Sequence, residues 1–221
     1  MKKGTHLVVS GLLFTLVLLI WPVLMAIGQP VAGEPEQLQW LSANTGLFKF
    51  QFLFAFLICP AMLYMLYAQL NTIGDPSPMA VRLGGIFLAA YAVFSSIAYG
   101  SQMILIPQLI QAGMETQARL WYLEASPSIV YFLNQTGYFF WALAMLILFV
   151  PVLKLPGIPR ALAVIYTVSA ALSIVAYAGL IIENEQLNSV TFISGLMLLP
   201  TGVLGAFYGI RSSRSTPRGV A

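Results

Sequence analysis

Apolar residues fill six long stretches of the chain, and polar residues are concentrated between them. Each stretch has at least the roughly 20 residues that an α-helix needs to cross about 30 Å of hydrocarbon. None alternates with the period of two that is typical of a barrel strand. Because lipid offers no partners to backbone groups, the pattern predicts an all-α bundle of six transmembrane helices. The predicted spans are residues 7–27, 47–70, 81–107, 127–150, 160–182 and 187–210.

The composition strengthens this interpretation. Of the 221 residues, 59% are hydrophobic and 8% are charged, and the mean hydropathy is +0.87, whereas soluble domains carry roughly 25% charged residues. We therefore predict one transmembrane domain over residues 1–221, with a short basic cytoplasmic tail at 211–221. The first apolar run is longer than the roughly 7–15 residues of a signal-peptide core, so we expect it to be retained as a span.

The basic residues predict an orientation. If the N-terminus is cytoplasmic, only Lys49 and Arg119 of the ten basic residues lie outside. The other eight fall in cytoplasmic segments: Lys2, Lys3, Arg82, Lys154, Arg160, Arg211, Arg214 and Arg218. Since cytoplasmic loops are enriched in Lys and Arg, both termini are predicted to be cytoplasmic. We expect a multi-pass protein of a bacterial inner membrane, in contact with lipid and not with nucleic acid.

Two connections on the predicted outer side are longer than a hairpin needs. Residues 29–46 contain Trp40 among polar residues, and we interpret them as a connector. Residues 108–125 place apolar side chains at helical spacing. This pattern is compatible with a short helix in the headgroup layer or with an ordinary amphipathic connector anchored by tryptophan. Trp21, Trp40 and Trp121 fall at this boundary, as in an aromatic belt.

The fourth span carries polar side chains on one face, namely Tyr131, Asn134, Gln135 and Tyr138. This face must contact protein or water, because an amide in hydrocarbon lacks partners. Polar residues of neighbouring spans are predicted at the same depth: Tyr99 and Gln102 on the third span, Lys49 and Gln51 on the second, and Thr191 and Ser194 on the sixth. Ser95 lies on the same face of the third span as Gln102.

Two interpretations of these polar residues stay open. They could bond helix to helix, at roughly 0.6–2 kcal/mol for each contact. Alternatively, they line a ligand cavity that opens outward between spans two, three, four and six, since such pockets place a few polar groups among aromatic ones. Lys49, near the end of its span, could instead snorkel to the surface.

The candidate chemistry is sparse. His6 and Cys59 are the only residues of their types, which argues against sites with several imidazole or thiolate ligands. No charged residue lies near mid-membrane, which disfavours ion-coupled transport, and no nucleophile or nucleotide-binding motif is present. We predict no catalytic residue, metal or cofactor.

Three functions remain compatible with the sequence. The first is binding of a lipid or an apolar small molecule, or service as an accessory subunit beside partner membrane subunits. The second is an intramembrane enzyme that acts on a lipid-like substrate. The third is an uncoupled transporter.

Three segments carry a resemblance to a known family: LFAFLICPAMLYMLY (53–67), GYFFWAL (137–143) and LPGIPRALAV (155–164). With them, most of the chain resembles a broad bacterial family of six-span membrane proteins catalogued only as a domain of unknown function. The chain departs from that pattern after Arg160, where Ala161 or Ala163 replaces an expected glycine. The resemblance implies the same fold and a bacterial inner membrane, and it brings no catalytic residues.

Overall fold

The computed structural model of the protein describes residues 3–28, 34–73, 76–123 and 128–215. These residues form α-helices and one short 3-10 helix, and no strand occurs among them, so the predicted all-α fold is confirmed. Six helical segments of the described chain are long and apolar enough to cross a membrane. In chain order the helices are α1 (Lys3–Gly28), α2 (Glu34–Ala43), α3 (Thr45–Ile73), α4 (Pro78–Gln111), α5 (Glu115–Trp121), α6 (Ile129–Phe149), α7 (Ile158–Ile181), α8 (Glu185–Asn188), α9 (Val190–Leu196) and α10 (Leu199–Ser215), with the 3-10 helix at Pro151–Lys154.

The first five spans are α1, α3, α4, α6 and α7, and their ends lie within a few residues of the predicted ones. Capping explains two of the starts. The Ser77 hydroxyl accepts a hydrogen bond from the Ala80 N–H at 3.2 Å, with Pro78 in the first turn. The Ser128 hydroxyl accepts from the Tyr131 N–H at 3.0 Å.

The connections differ from expectation in one respect. Of the two interpretations of residues 108–125, the short helix is observed, as α5. The connector 29–46, however, contains the helix α2, which the sequence did not predict. Its polar, proline-containing sequence has almost no hydrophobic periodicity, and the packing of Leu41 against neighbouring elements is invisible in the sequence.

The sixth span is broken, whereas the sequence predicts a continuous helix over 187–210. It consists of α8, α9 and α10, with an interruption at Met197 and Leu198. Pro200 has no N–H to donate to the Leu196 carbonyl four residues earlier. The turn tightens instead, and the Leu198 N–H donates to the Gly195 carbonyl at 3.1 Å.

The six spans form a closed ring in which each packs against its neighbours in the chain, and α10 returns to pack against α1. Gly4, near the start of the described chain, lies beside Gly209 and Ser213, so both ends of the described chain lie at one end of the bundle. We call this the terminal end. The opposite end, which carries α2 and α5, is the loop end.

Glycines bring α1 and α10 into close contact in the terminal half. A methyl group at Gly202 would lie 2.6 Å from the Gly11 carbonyl oxygen, and one at Gly209 would lie 2.6 Å from the Gly4 carbonyl oxygen. Such small residues allow two membrane helices to approach at backbone distance. Beyond the break, α9 packs against α7 instead. The first and sixth spans are therefore in close contact toward the terminal end and separate toward the loop end.

A buried hydrogen-bond network fills the middle of the terminal half. The Tyr166 hydroxyl donates to Gln69 Oε1 at 2.8 Å, and Gln69 Nε2 donates to the Thr201 carbonyl at 3.2 Å. All three residues are fully buried. The network joins α3, α7 and α10, and Met65 and Leu66 pack in the same half without exposure.

At the loop end, a second apolar cluster lies over the second and third spans. It joins α2 and α5 to the ends of α3 and α4. Its buried members include Leu41, Phe48, Ile106, Ala118 and Tyr122. The described buried members of this cluster come from α2, α3, α4, α5 and the residue that follows α5, and none comes from the other four spans.

Candidate functional site

A cavity of about 260 Å³ lies in the half of the bundle toward the loop end. It is walled by α1, α3, α4, α6 and the sixth span, while the described residues of α7 do not line it. Leu123, which follows α5, completes the wall. The prediction of a cavity between spans two, three, four and six therefore omitted one contributor, the first span.

The structure brings five of the nine predicted site residues together on this wall. Four come from α6, which places Tyr131, Asn134, Gln135 and Tyr138 on one face by helical spacing. Tyr99 of α4 is the fifth. The polar face that the sequence indicates on the fourth span is the face that the helix turns toward the cavity.

Gln51 and Gln102, which were also predicted site residues, bond to the backbone instead of lining the cavity. Gln51 Nε2 donates to the Leu24 carbonyl at 2.8 Å and thereby joins α3 to α1. Gln102 Nε2 donates to the Trp121 carbonyl at 2.7 Å, and Gln102 Oε1 accepts from the Leu123 N–H at 3.0 Å. For these two glutamines the packing interpretation describes the observed contacts.

Ser95 and Lys49 also lie away from the cavity wall. Ser95 is buried where α4 meets α6, with its Oγ 3.4 Å from the position of a methyl group on Gly137. Lys49 is exposed near the start of α3, as expected for a snorkelling side chain. Ser95, Lys49 and the two glutamines are therefore not among the residues that line the cavity.

The sequence reasoning missed the apolar part of the wall. Leu18, Trp21 and Pro22 of α1 line the cavity, as do Met62 of α3 and Leu198 at the break of the sixth span. An apolar residue that faces a cavity and one that faces lipid look alike in sequence. A proline inside a span, as at position 22, is the one available signal, because it leaves a backbone carbonyl of the preceding turn without its helical donor, although α1 continues through it.

Three hydrogen bonds tie the wall of the cavity together. Thr191 Oγ1 donates to Gln135 Oε1 at 2.9 Å, and Asn188 Nδ2 donates to the Tyr131 hydroxyl. The hydroxyl groups of Tyr99 and Tyr138 lie 3.0 Å apart and share a hydrogen bond. These contacts join α6 to α4 and to the sixth span, so Tyr131, Gln135 and Tyr138 both pack helices and line the cavity.

Other polar atoms of the wall are left unpaired. The Asn134 side chain is only 8% exposed, and its Oδ1 has no hydrogen-bond partner within the described chain. The same holds for Trp21 Nε1 and Asn188 Oδ1. Buried polar groups in proteins are nearly always paired, and an exception calls for an explanation. Here one unpaired donor and two unpaired acceptors belong to residues that line one cavity.

The wall carries no formal charge. Among the described residues that line the cavity there is no Asp, Glu, Lys, Arg or His. Most of the surface comes from aliphatic and aromatic side chains, so the site suits an apolar molecule with a small polar part.

Fold and site together define a multi-pass helical membrane protein with an internal cavity walled by five of its six spans. Comparisons of the chain with family models, with curated proteins and with solved structures find no match. The resemblance to a bacterial six-span family therefore stays a prediction.

Proposed function

We propose that the protein binds a small amphipathic molecule, or the polar part of a lipid, in this cavity. The observation that carries the proposal is that Asn134 lines a mostly apolar cavity while its buried Oδ1 has no hydrogen-bond partner among the described residues. A ligand with a hydrogen-bond donor would satisfy this oxygen while its apolar part contacts the aromatic side chains.

The size of the cavity limits what it can hold. An apolar cavity of roughly 150 Å³ is sufficient for benzene, and ligand pockets begin at about 300 Å³. If each non-hydrogen atom of a ligand takes the same share of volume as in the benzene cavity, about 260 Å³ accommodates roughly ten non-hydrogen atoms. The ligand is therefore a small molecule, or a larger one that is only partly enclosed.

We place the protein in a bacterial inner membrane with the loop end, and hence the cavity, toward the outside. The distribution of basic residues supports this orientation. Among the described basic residues, Arg82, Lys154 and Arg160 belong to the terminal end, whereas only Lys49 and Arg119 belong to the loop end.

Binding without turnover fits the site better than catalysis or transport. General acid–base catalysis needs a positioned titratable group. Among the described acidic residues, Glu115, Glu183 and Glu185 are exposed and lie outside the set of cavity-lining residues. The titratable groups on the wall are tyrosine hydroxyls, and those of Tyr99 and Tyr138 are hydrogen-bonded to each other. A transporter must open toward both sides, whereas the terminal half of this bundle is filled by the network around Gln69.

The proposal can be tested by native mass spectrometry of the protein extracted in a mild detergent. Asn134→Leu keeps the approximate volume of the side chain and removes the unpaired oxygen. A lost hydrogen bond of about 1 kcal/mol corresponds to roughly fivefold weaker binding, so we expect fewer copies of the variant to retain a bound molecule. Ser95→Ala is the matched control, because Ser95 Oγ is also buried and unpaired but lies off the cavity. Equal retention by wild type and Asn134→Leu would contradict the proposal.

A further inference from the structure

We infer that the ligand is a lipid with an uncharged, hydroxyl-bearing head group, which reaches the cavity from the side between α1 and α9. This inference rests on the proposed function and names the class of ligand for the same cavity. It follows from the charge of the wall, the chemistry of its unpaired atoms, the size of the cavity and the position of its opening.

The wall selects against charged head groups. An ion that leaves water for a buried site loses several kcal/mol of solvation unless an opposite charge compensates it. None of the described lining residues carries such a charge. Phosphate, carboxylate and ammonium head groups would therefore bind poorly, whereas a neutral polar group would not meet this penalty.

The unpaired atoms indicate a hydroxyl group. Trp21 Nε1 can only donate a hydrogen bond, while Asn134 Oδ1 and Asn188 Oδ1 can only accept one. A hydroxyl group both donates and accepts, so it can pair with either kind of atom. A simple ester or ketone accepts only and would leave the two asparagine oxygens unpaired. A head group with more than one hydroxyl, such as a glycerol monoester, matches the wall best.

The cavity is too small to enclose a whole lipid. Its volume of about 260 Å³ suits a glycerol ester head group with the first few methylene groups of the chain. The rest of an acyl chain must lie outside the cavity. A lipid ligand therefore requires an opening toward the hydrocarbon of the bilayer.

The arrangement of the first and sixth spans supplies this opening. α10 is held against α1 by the glycine contacts, but α9 packs against α7. We call the resulting space the lateral gap; Trp21 and Pro22 of α1 lie on one side of it, and Phe192 and Leu196 of α9 on the other. Phe192 and Leu196 line the cavity and are nevertheless 61% and 38% exposed, as expected for residues at the edge of an opening.

The head-group preference can be tested with three probes whose hydrocarbon tails all derive from oleic acid. 1-Monoolein offers hydroxyl groups, methyl oleate is neutral and accepts only, and oleyl sulfate is permanently anionic. Affinities are measured by native mass spectrometry and by the shift of the unfolding temperature in detergent. We expect 1-monoolein to bind about tenfold tighter than methyl oleate, as one or two additional hydrogen bonds would give, and oleyl sulfate to bind weakest.

Two variants with matched controls test whether side chains on the cavity wall cause this head-group preference. Asn134→Leu should weaken the binding of 1-monoolein and leave the binding of methyl oleate unchanged. Trp21→Phe should weaken the binding of both probes, because both offer a hydrogen-bond acceptor. Ser95→Ala and Trp141→Phe are the controls, since Ser95 Oγ and Trp141 Nε1 are buried and unpaired but lie off the cavity. The controls should bind all three probes like the wild type.

The lateral gap has its own test. Leu196→Trp places a large side chain at the edge of the gap and should slow the uptake of 1-monoolein from lipid nanodiscs. Ile193→Trp is the control, because Ile193 is an exposed residue of the same helix that does not line the cavity.

The outcomes distinguish a failure of the head-group inference from a failure of the proposed ligand binding. If oleyl sulfate or methyl oleate binds as tightly as 1-monoolein, the head-group inference is overturned while ligand binding stands. If none of the three probes binds and no molecule is retained from the membrane, the proposed function itself fails. Unchanged uptake by Leu196→Trp would overturn the lateral route.

Discussion

Gly202 faces Gly11 across the contact between α1 and α10, and a methyl group at position 202 would lie 2.6 Å from the Gly11 carbonyl oxygen. This approach fixes the first and sixth spans together in the terminal half. It leaves the other halves of the two spans free to separate around the cavity.

Gly202→Ala should therefore lower the stability of the protein. A methyl group that meets backbone cannot be accommodated by a rotamer change, and overpacking of this kind costs about 2 kcal/mol. Gly85→Ala is the control, because nothing lies within 4 Å of its added methyl group and alanine favours the helix by about 1 kcal/mol. Chemical unfolding in detergent would measure both. Equal stability of the two variants would show that the helices do not approach so closely.

Tyr166→Phe should destabilise the terminal half. The substitution removes the hydrogen bond to Gln69 Oε1 and leaves that oxygen buried without a partner, at a cost of about 1–2 kcal/mol. Tyr67→Phe is the control, since Tyr67 lies two residues from Gln69 and is exposed. If both variants unfold like the wild type, the network is not formed.

Gln135 and Asn134 are neighbours in sequence and should behave differently. Gln135→Leu and Thr191→Val each break the hydrogen bond between these side chains, and a double-mutant cycle should show a coupling of about 0.6–1.7 kcal/mol. In Asn134→Leu the loss of Oδ1 should not lower the stability of the protein, because this oxygen has no protein partner in the described chain. Zero coupling in the cycle would contradict the observed contact.

Gln102 should hold the segment after α5 in place. In Gln102→Ala the Leu123 N–H loses its acceptor, and a bond worth about 1.4 kcal/mol would give roughly tenfold faster hydrogen exchange at this amide. Gln108→Ala, at an exposed position of the same helix, should leave the exchange unchanged. Because Leu123 lines the cavity, the first variant should also weaken ligand retention.

The orientation can be read by cysteine labelling. The buried Cys59 is first replaced by alanine, and single cysteines are then placed at Glu115 of the loop end or at Ser77 of the terminal end, both exposed positions. A membrane-impermeant maleimide should label Glu115→Cys in intact cells and Ser77→Cys only after the membrane is opened. The reverse pattern would invert the proposed topology.

The sequence predicted the spans because lipid imposes a single requirement on long apolar stretches, namely that the backbone be helical. The same logic identified the polar face of α6, because Asn134 and Gln135 cannot face hydrocarbon. It could not predict the break at Met197 and Leu198, since Pro60 in α3 is a similar mid-span proline and that helix continues.

The site was only partly predictable for a related reason. Gln51 and Gln102 lie at the same depth as the cavity, but their partners are backbone carbonyls of Leu24 and Trp121, which hydrophobic patterns do not reveal. The position of Trp21 near the span end predicts only a place in the aromatic belt. Its place on the cavity wall follows from how α1 turns within the ring, and that depends on contacts between distant segments.

The Gln69–Tyr166–Thr201 network fills the terminal half of the bundle, so the cavity is closed on that side. Under the proposed function, a bound molecule enters and leaves on the same side of this network. The occupied fraction of the protein would then follow the concentration of the ligand in the adjoining leaflet.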